Sequence, residues 1–550
     1  MARRKPRVQT GVVSPRAAAR PLRFLVLPAS VFALAVAVYA PTLSADWTST
    51  DDTELVLDDA AFLSSDGALR AAFGRPFFPL GPRRAYYRPL VTVSFVLDTP
   101  RGERPTPEPY HRTNVLLHAA SSAAVFFFVN ALGVAPVASA LAAALFAIHP
   151  VTAQTVAWIP GRCDGLMALF ALGALIAWIA FDRTSSRRAI LAHHALFAAA
   201  LFSKEAAIAL PLAAVAHSLV VTKRSAFRAP IACVGWAFVG AVWFVLRRSA
   251  VGAIDSSATL GTALHNSSAL IIGMGKLLVP VELDVLATLR DSSLLPGAFA
   301  VGLLAAASLT IRTARRCFLW AAVALPLLFL LPALAVSDFL ILDNRLYLPL
   351  AGIAACAALC AEAWGSRLPK QVLGGAWAVA AIVLAVSTRR HADSFSSPRA
   401  FSEAAVSGSP HLGLAHLNLG AVEYRDGRLD DAKKEFERAL AENPTEPVAH
   451  NDLGLVYLNS GDLERAESEF TNELRANPNY SKAHFNLGLV LERTGRLDLA
   501  REHFEKTVTL VPGDTEAWGE LLKYWAPRDA ARAETIEQRM ESLGVHFFSP

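Results

Sequence analysis

Charged residues are scarce in this chain. Only 18% of its 550 residues are Asp, Glu, Lys or Arg, against 53% hydrophobic, where a soluble domain carries about 25% charge. With a mean hydropathy of +0.37, that shortage excludes an ordinary soluble globule and points to helices in lipid. Cysteine is scarce too. Cys163, Cys233, Cys317, Cys356 and Cys360 form no CxxC pair, and four of them lie in or beside apolar blocks. A disulfide framework and a zinc spacing are excluded, which leaves small buried hydrophobes. No Walker motif, GxSxG or HExxH string occurs, so ATP hydrolysis, serine hydrolysis and zinc proteolysis have no support. The net charge of +5 does not mark nucleic acid as a partner, because the basic residues stand between apolar blocks, where topology determinants belong.

The first 45 residues hold no acid, while Arg3, Arg4, Lys5, Arg7, Arg16, Arg20 and Arg23 precede an apolar stretch from Phe24 to Leu43. That stretch is longer than a signal-peptide core and lacks a small-x-small cleavage site, so it reads as an uncleaved first span. Eleven spans are expected, near 22–44, 112–131, 134–149, 166–181, 189–202, 205–222, 230–247, 294–311, 317–335, 346–364 and 371–388. Lys276, Pro280, Glu282 and Asp284 interrupt 265–285, which suits an interfacial or re-entrant segment. With a cytoplasmic N-terminus, the inner loops carry Arg183, Arg187 and Arg188, then Lys223, Arg224 and Arg228, then Arg312, Arg315 and Arg316, then Arg367 and Lys370. Arg247 and Arg248 fall on the other side. The pattern follows the positive-inside rule. An odd span count places the C-terminal region across the membrane: the periplasm for a bacterial inner-membrane protein, the reticulum lumen for a eukaryotic one. The Ala- and Arg-rich composition suits a bacterial genome.

After Arg390 polar residues rise and a strict repeat appears. Gly420, Gly454 and Gly488 are 34 residues apart, as are Ala432, Ala466 and Ala500, Phe436, Phe470 and Phe504, and Pro410, Pro444, Pro478 and Pro512. This is the period and pattern of tetratricopeptide (TPR) helix pairs: small residues let the helices approach, Phe fills the gap, and Pro ends the second helix. Repeats are expected at 411–444, 445–478 and 479–512, with a helix before them and a capping helix near 514–525. The fold class is therefore all-α, a polytopic bundle of about eleven spans at 1–391, a TPR solenoid at 392–525 and a tail at 526–550.

The outer segments 45–111, 150–165, 203–205, 248–293 and 336–345 share the non-cytoplasmic face, and ionisable residues there are functional candidates. Asp51 and Asp52 stand side by side just past the first span. Adjacent carboxylates could activate a hydroxyl or hold a divalent metal; a solvated acidic loop accounts for them equally. Arg88, beside Tyr86 and Tyr87, suits a substrate or a lipid headgroup. Arg162 and Asp164 could be a local ion pair, and His149 a packed residue. Lys204 and Glu205 lie between apolar stretches, where charge is costly. Arg345 opens the tenth span, and a guanidinium there suits phosphate.

Taken in order, the pieces resemble the transmembrane and TPR repeat-containing O-mannosyltransferases, within the GT-C class of membrane glycosyltransferases. They are Asp51-Asp52, Tyr86-Tyr87-Arg88-Pro89-Leu90, Tyr110-His111…Asn114…His118, His149-Pro150…Gly161-Arg162…Asp164, Ser203-Lys204-Glu205, Asp343-Asn344-Arg345-Leu346-Tyr347, and then the repeats. The resemblance implies a polyprenyl-phosphate sugar donor, mannose by default, and transfer with inversion to a protein hydroxyl. It implies Asp51 or Asp52 as base. Arg345, with Arg88, Arg162 or Lys204, would neutralise the leaving phosphate. His111, His118, His149, Asp164 and Glu205 would shape the site, membrane lipid would surround it, and the TPR groove would take the acceptor. One departure stands out. The family usually has a His and a Glu where this chain has Thr152 and Gln154, so a carboxylate that could bind metal is missing. The competing reading is a non-catalytic membrane scaffold that assembles partners on its repeats. A transporter fits less well, because the halves show no inverted repeat.

Overall fold

The computed structural model describes residues 21–48, 50–78, 86–222, 230–252, 260–310, 328–331, 334, 340–364 and 369–543. The predicted span at 317–335 lies almost wholly outside them, as do Cys317, the N-terminal bases before Arg23 and the basic loops at 223–228 and 312–316. The described residues are helical and contain no strand.

Five helices among them are long and apolar enough to cross a membrane: Phe24–Ser44, Glu108–Ala131, Ile159–Thr184, Pro230–Val251 and Asp343–Glu362. Pro136–Ala147 and Pro150–Ala157 make a sixth if counted as one span bent by 53°. Of the eleven expected spans, five or six are of crossing length among the described residues; the expected span at 294–311 holds the shorter apolar helix Leu295–Leu309, and the expected interfacial run holds Ser268–Leu278. A straight crossing needs about 20 residues; Ser268–Leu278 is largely buried, whereas Leu295–Leu309 leaves Leu295, Phe299 and Leu309 exposed. The central helices are Ile159–Thr184 and Asp343–Glu362, buried over 61% and 67% of their apolar windows; Pro230–Val251, at 11%, is peripheral. Ala-rich faces let the central helices close together, as membrane packing favours. Across that core His118 bonds Tyr347 Oη (2.8 Å) and Ala147 O (3.0 Å). Both His118 ring nitrogens are thus used in packing.

The second outer segment is a buried plug. Pro150 cannot continue the preceding helix, and two short turns carry the chain from His149 to Arg162 with every residue buried. Gly161 is required there: a Cβ would stand 2.6 Å from Gln154 O and 2.8 Å from Thr155 Cα.

Beyond the bundle, helix pairs repeat at Gly413–Arg425 with Leu429–Glu442, Ala449–Asn459 with Leu463–Ala476, and Ser481–Arg493 with Leu497–Leu510. Pro398–Gly408 precedes them, and Thr515–Trp525 and Ala530–Ser542 follow. The 34-residue register has a steric cause: a Cβ on Gly420, Gly454 or Gly488 would meet the ring of Phe436, Phe470 or Phe504 at 2.5–2.7 Å. Gly427, Gly461 and Gly495 turn the chain at φ 77°, 81° and 80°, a region that L side chains avoid.

The array is fastened to the outer loops. Asp46 N donates to Ser396 O (2.9 Å), Ser409 Oγ to Leu286 O (2.9 Å), and His411 pairs with Asp291 (2.6 Å). One apolar cluster joins Tyr39, Trp158, Val285, Phe395 and Phe401. The repeats therefore sit at the end of the bundle where Asp46 emerges. Arg183 lies at the opposite end, donating to Ala131 O (2.5 Å).

Gly488→Ala should destabilise the repeats by about 1–3 kcal/mol through overpacking against Phe504. Thermal unfolding of the purified chain checks this. The exposed-turn change Gly513→Ala, with nothing near its Cβ, should cost far less.

Candidate functional site

Four segments converge beside the plug. Arg88 precedes the helix Pro89–Asp98; Asp164 sits in the first turn of Arg162–Thr184; Lys204 and Glu205 occupy the break after Arg187–Ser203; Asn344 and Arg345 lie on the turn Asp343–Leu346. Arg88 grips Glu205 with two parallel bonds, Nε to Oε2 (3.0 Å) and Nη2 to Oε1 (2.7 Å). Such forks are the strongest arrangement open to a guanidinium and a carboxylate. Lys204 Nζ lies 2.7 Å from both oxygens of Asp164, and Asn344 Nδ2 donates to Asp164 Oδ2 (2.8 Å). Cys163 Sγ stands between the pairs, 3.6 Å from Arg88 Nη1 and 3.4 Å from Asp164 Oδ2.

Arg345 donates to Leu340 O (2.9 Å) and lies within electrostatic reach of Tyr86, Asp164, Arg88 and Glu205. Its side chain ends an apolar crevice lined by Leu270, Leu330, Leu334 and Leu342. The rings of Tyr86 and Phe77 lie 4.6 Å and 5.3 Å from the Arg88 guanidinium, a favourable cation–π setting. Outside the spans, burial opposes the charged form of the Arg88 guanidinium, but Glu205 and its hydrogen bonds outweigh it and raise the pKa. Two ion pairs, Arg88–Glu205 and Lys204–Asp164, thus stand side by side with Arg345 in electrostatic reach of both.

Asp52 lies apart from these pairs, on a turn at 50–52 that packs against residues 159–161. It is fully buried. Oδ2 accepts from Thr48 N and Thr48 Oγ1, both at 2.7 Å, while Oδ1 has no hydrogen-bond partner among the described residues. Burial pushes its pKa up to about 7, with the Thr48 bonds opposing and Asp51 and Asp46 adding to the rise. Asp51 is half-buried. Beside this turn a cavity of about 560 Å³ is lined by Thr53, Asp58, Ser64, Glu103 and Arg104.

Arg162 does not join the cluster. Its guanidinium donates to Asn114 Oδ1 (2.8 Å), Ser94 O (3.2 Å) and Tyr110 O (2.7 Å), and pairs with Asp98 (2.5 Å). Its nitrogens are committed to protein acceptors, so it braces the outer helices and is poorly placed to take a phosphate. His111 is buried against the Asp46 backbone. His149 Nδ1 accepts from Val151 N (3.3 Å); neither histidine touches Arg88 or Lys204.

The positions that depart from the family pattern hold the plug in place. Thr152 Oγ1 donates to His149 O (2.6 Å) and bonds Tyr39 Oη (2.7 Å). Gln154 Nε2 donates to Val285 O (3.0 Å), and Gln154 Oε1 accepts from Asn344 N (3.1 Å). A carboxylate has no donor for Val285, so glutamine suits position 154. Among the described residues no group of three or more His, Cys, Asp and Glu is placed to hold a metal.

The sequence reading passed over a second buried set. Lys276 Nζ lies 2.6 Å from Asp343 Oδ1, and His391 Nε2 3.3 Å from Asp343 Oδ2. Lys276 was visible as a charge within an apolar run, a functional or structural flag in itself. His391 carried no such local signal.

Comparison with known proteins supports the resemblance. Family models of the tetratricopeptide repeat match residues 451–515 and 423–472. Human protein O-mannosyl-transferase TMTC3 is 31% identical over 132 residues, 23% of this chain and 14% of that protein. Mouse TMTC2 is 34% identical over 151 residues, 27% of this chain and 18% of that one. Drosophila melanogaster Tmtc1 is 32% identical over 183 residues, 32% and 21%. The matches span about a seventh to a fifth of these relatives. Among solved structures, a crystal structure of MamA is 21% identical, covering 26% of this chain and 88% of that one with a TM-score of 0.25. The first TPR of Spaghetti (RPAP3) bound to an HSP90 peptide is 24% identical, covering 21% and 94% with a TM-score of 0.20. The chain thus carries tetratricopeptide repeats and is similar, over part of its length, to protein O-mannosyl-transferases.

Arg88→Ala should cost about 1–3 kcal/mol of stability, since it leaves the half-buried Glu205 unpaired, while the double change Arg88→Met with Glu205→Met should recover most of it. Thermal unfolding of the three variants checks this; equal losses in single and double variants would contradict the pairing.

Proposed function

We propose that the chain is a GT-C-type membrane glycosyltransferase. It moves a sugar, mannose by the family default, from a polyprenyl-phosphate carrier to a protein hydroxyl. The observation that carries this reading is the convergence of Arg88, Lys204 and Arg345 on two carboxylates, with Arg345 at the end of an apolar crevice. Cations beside an apolar wall complement a phosphate on a prenyl tail, and guanidinium suits phosphate geometry.

The acceptor oxygen attacks the anomeric carbon as the bond to the carrier phosphate breaks, inverting that carbon. Asp52 takes the hydroxyl proton: Thr48 fixes one of its oxygens and leaves the other bare. A base with a pKa near the working pH transfers protons best. Arg345, with Arg88 and Lys204 beside it, offsets the charge that grows on the departing phosphate. The acceptor approaches from the side of the repeats, which are fastened to the same outer loops, and TPR arrays present extended concave surfaces. That face is the extracytoplasmic one if the bases at Arg183, Arg187 and Arg188 mark the cytoplasm. A pure scaffold has no use for buried cations gathered at one membrane face.

Purified chain supplied with radiolabelled polyprenyl-phosphate sugars and a protein extract should transfer label. Asp52→Asn should lower the rate about a hundredfold to ten-thousandfold with folding intact. Because the base must be ionised, wild-type rate should rise with pH through about 7. Full activity in Asp52→Asn would move the base elsewhere, and no transfer from any donor would favour the scaffold.

A further inference from the structure

Three histidines share one position of the repeat: His416, His450 and His484, each 34 residues from the next. Each ring is held alike. Nε2 of His416 lies 2.9 Å from Pro410 O and Nε2 of His484 lies 3.1 Å from Pro478 O; His450 makes the same bond to Pro444. A carbonyl only accepts, so Nε2 carries a proton in all three. Nδ1 is thereby aimed at the residue nineteen positions on. In the first two repeats that residue is an acid, Glu435 at 2.6 Å and Glu469 at 2.7 Å. In the second of these Glu469 raises the His450 pKa.

The third repeat breaks the rule. The acid is replaced by His503, and the two Nδ1 atoms stand 2.9 Å apart. With its Nε2 proton given to Pro478 O, His484 in the neutral tautomer offers a lone pair at Nδ1, which accepts from His503 Nδ1–H. If His503 moves its proton to Nε2, both Nδ1 lone pairs are free, and a turn of the rings brings them onto an ion beside the N–N line. At metal–nitrogen distances of about 2.0–2.1 Å, ligands 2.9 Å apart subtend roughly a right angle, the cis angle of square-planar and octahedral ions.

The same repeat also opens a space beside the pair. In the preceding repeat Tyr457 and Arg465 stack with 5.5 Å between guanidinium and ring centroid. One period later those positions are Leu491 and Leu499, and a groove of about 430 Å³ appears, with His484 and His503 on its wall. The Glu467–Arg496 pair also lines the groove, each satisfying the other.

We propose that His484 and His503 form a two-histidine site for a divalent transition metal of square-planar or octahedral preference, Cu²⁺ or Ni²⁺ before Zn²⁺. Among the described residues no third protein ligand completes the set, so water fills the remaining positions. The site is independent of the membrane chemistry above.

The test is Cu²⁺ titration of the full chain, purified without a histidine tag and followed by electron paramagnetic resonance. The wild type should bind one Cu²⁺ with hyperfine structure from two nitrogens. His503→Glu restores the His–Glu pair of the other repeats, so its fold should be intact, and it should bind copper at least tenfold more weakly and lose that pattern. His484→Gln should do the same. Equal affinity and an equal nitrogen pattern in wild type and His503→Glu would overturn the site, as would a wild type that binds no copper.

Discussion

A lysine amine between apolar helices keeps its charge only beside a carboxylate that cannot leave. Lys204, nearly buried, meets Asp164 this way, and the backbone around it is arranged to keep the two together. Asn344 takes one oxygen of Asp164, and Gln154 in turn bonds the backbone of Asn344. Breaking any of these strands a buried polar group, and losing one partner of a buried pair costs about 3–5 kcal/mol. The break between Arg187–Ser203 and Glu205–Ala209, the plug at 150–161 and the turn Asp343–Leu346 are the irregular pieces of backbone that this group requires. Irregular backbone at membrane depth survives only where protein buries it or a cavity meets it, and both conditions hold here.

The repeats belong to that arrangement. Val285 accepts from Gln154, and the next residue, Leu286, accepts from Ser409 at the base of the array. A short path of hydrogen bonds thus runs from Asp164 through Asn344, Gln154 and the loop at 285–286 to the first repeat helices. His391, at the foot of the same helices, reaches Asp343 from the other side. A solenoid so seated holds a fixed position over the outer loops, which is what presenting a hydroxyl to a base at a defined place demands.

The repeats were legible in the sequence because four positions kept one period, and the cause is visible in Gly488 facing Phe504 with no room for a Cβ. The charged residues of the site were legible as ionisable groups where apolar runs stop. Their partners were not. Arg88 and Glu205 are 117 residues apart, and nothing local distinguishes Arg88, which joins the cluster, from Arg162, which is consumed by Asp98, Asn114 and Tyr110. Hydropathy marks burial, and a run such as Ser268–Leu278 is buried against protein as readily as a span is buried in lipid, which is why its polar interruptions set it apart from the spans. The change of Glu469 to His503 at one repeat position was in plain sight, but its meaning needed the second ring nitrogen fixed by Pro478.

The most direct measurement is photo-crosslinking of a polyprenyl-phosphate sugar bearing a reactive group on its first isoprene units, with the labelled peptides mapped. The account predicts label on the walls of the Arg345 crevice, around Leu270 and Leu342, competed by unlabelled donor and lost in Arg345→Ala. Label confined to the lipid-facing helix Pro230–Val251, or label indifferent to Arg345, would contradict it.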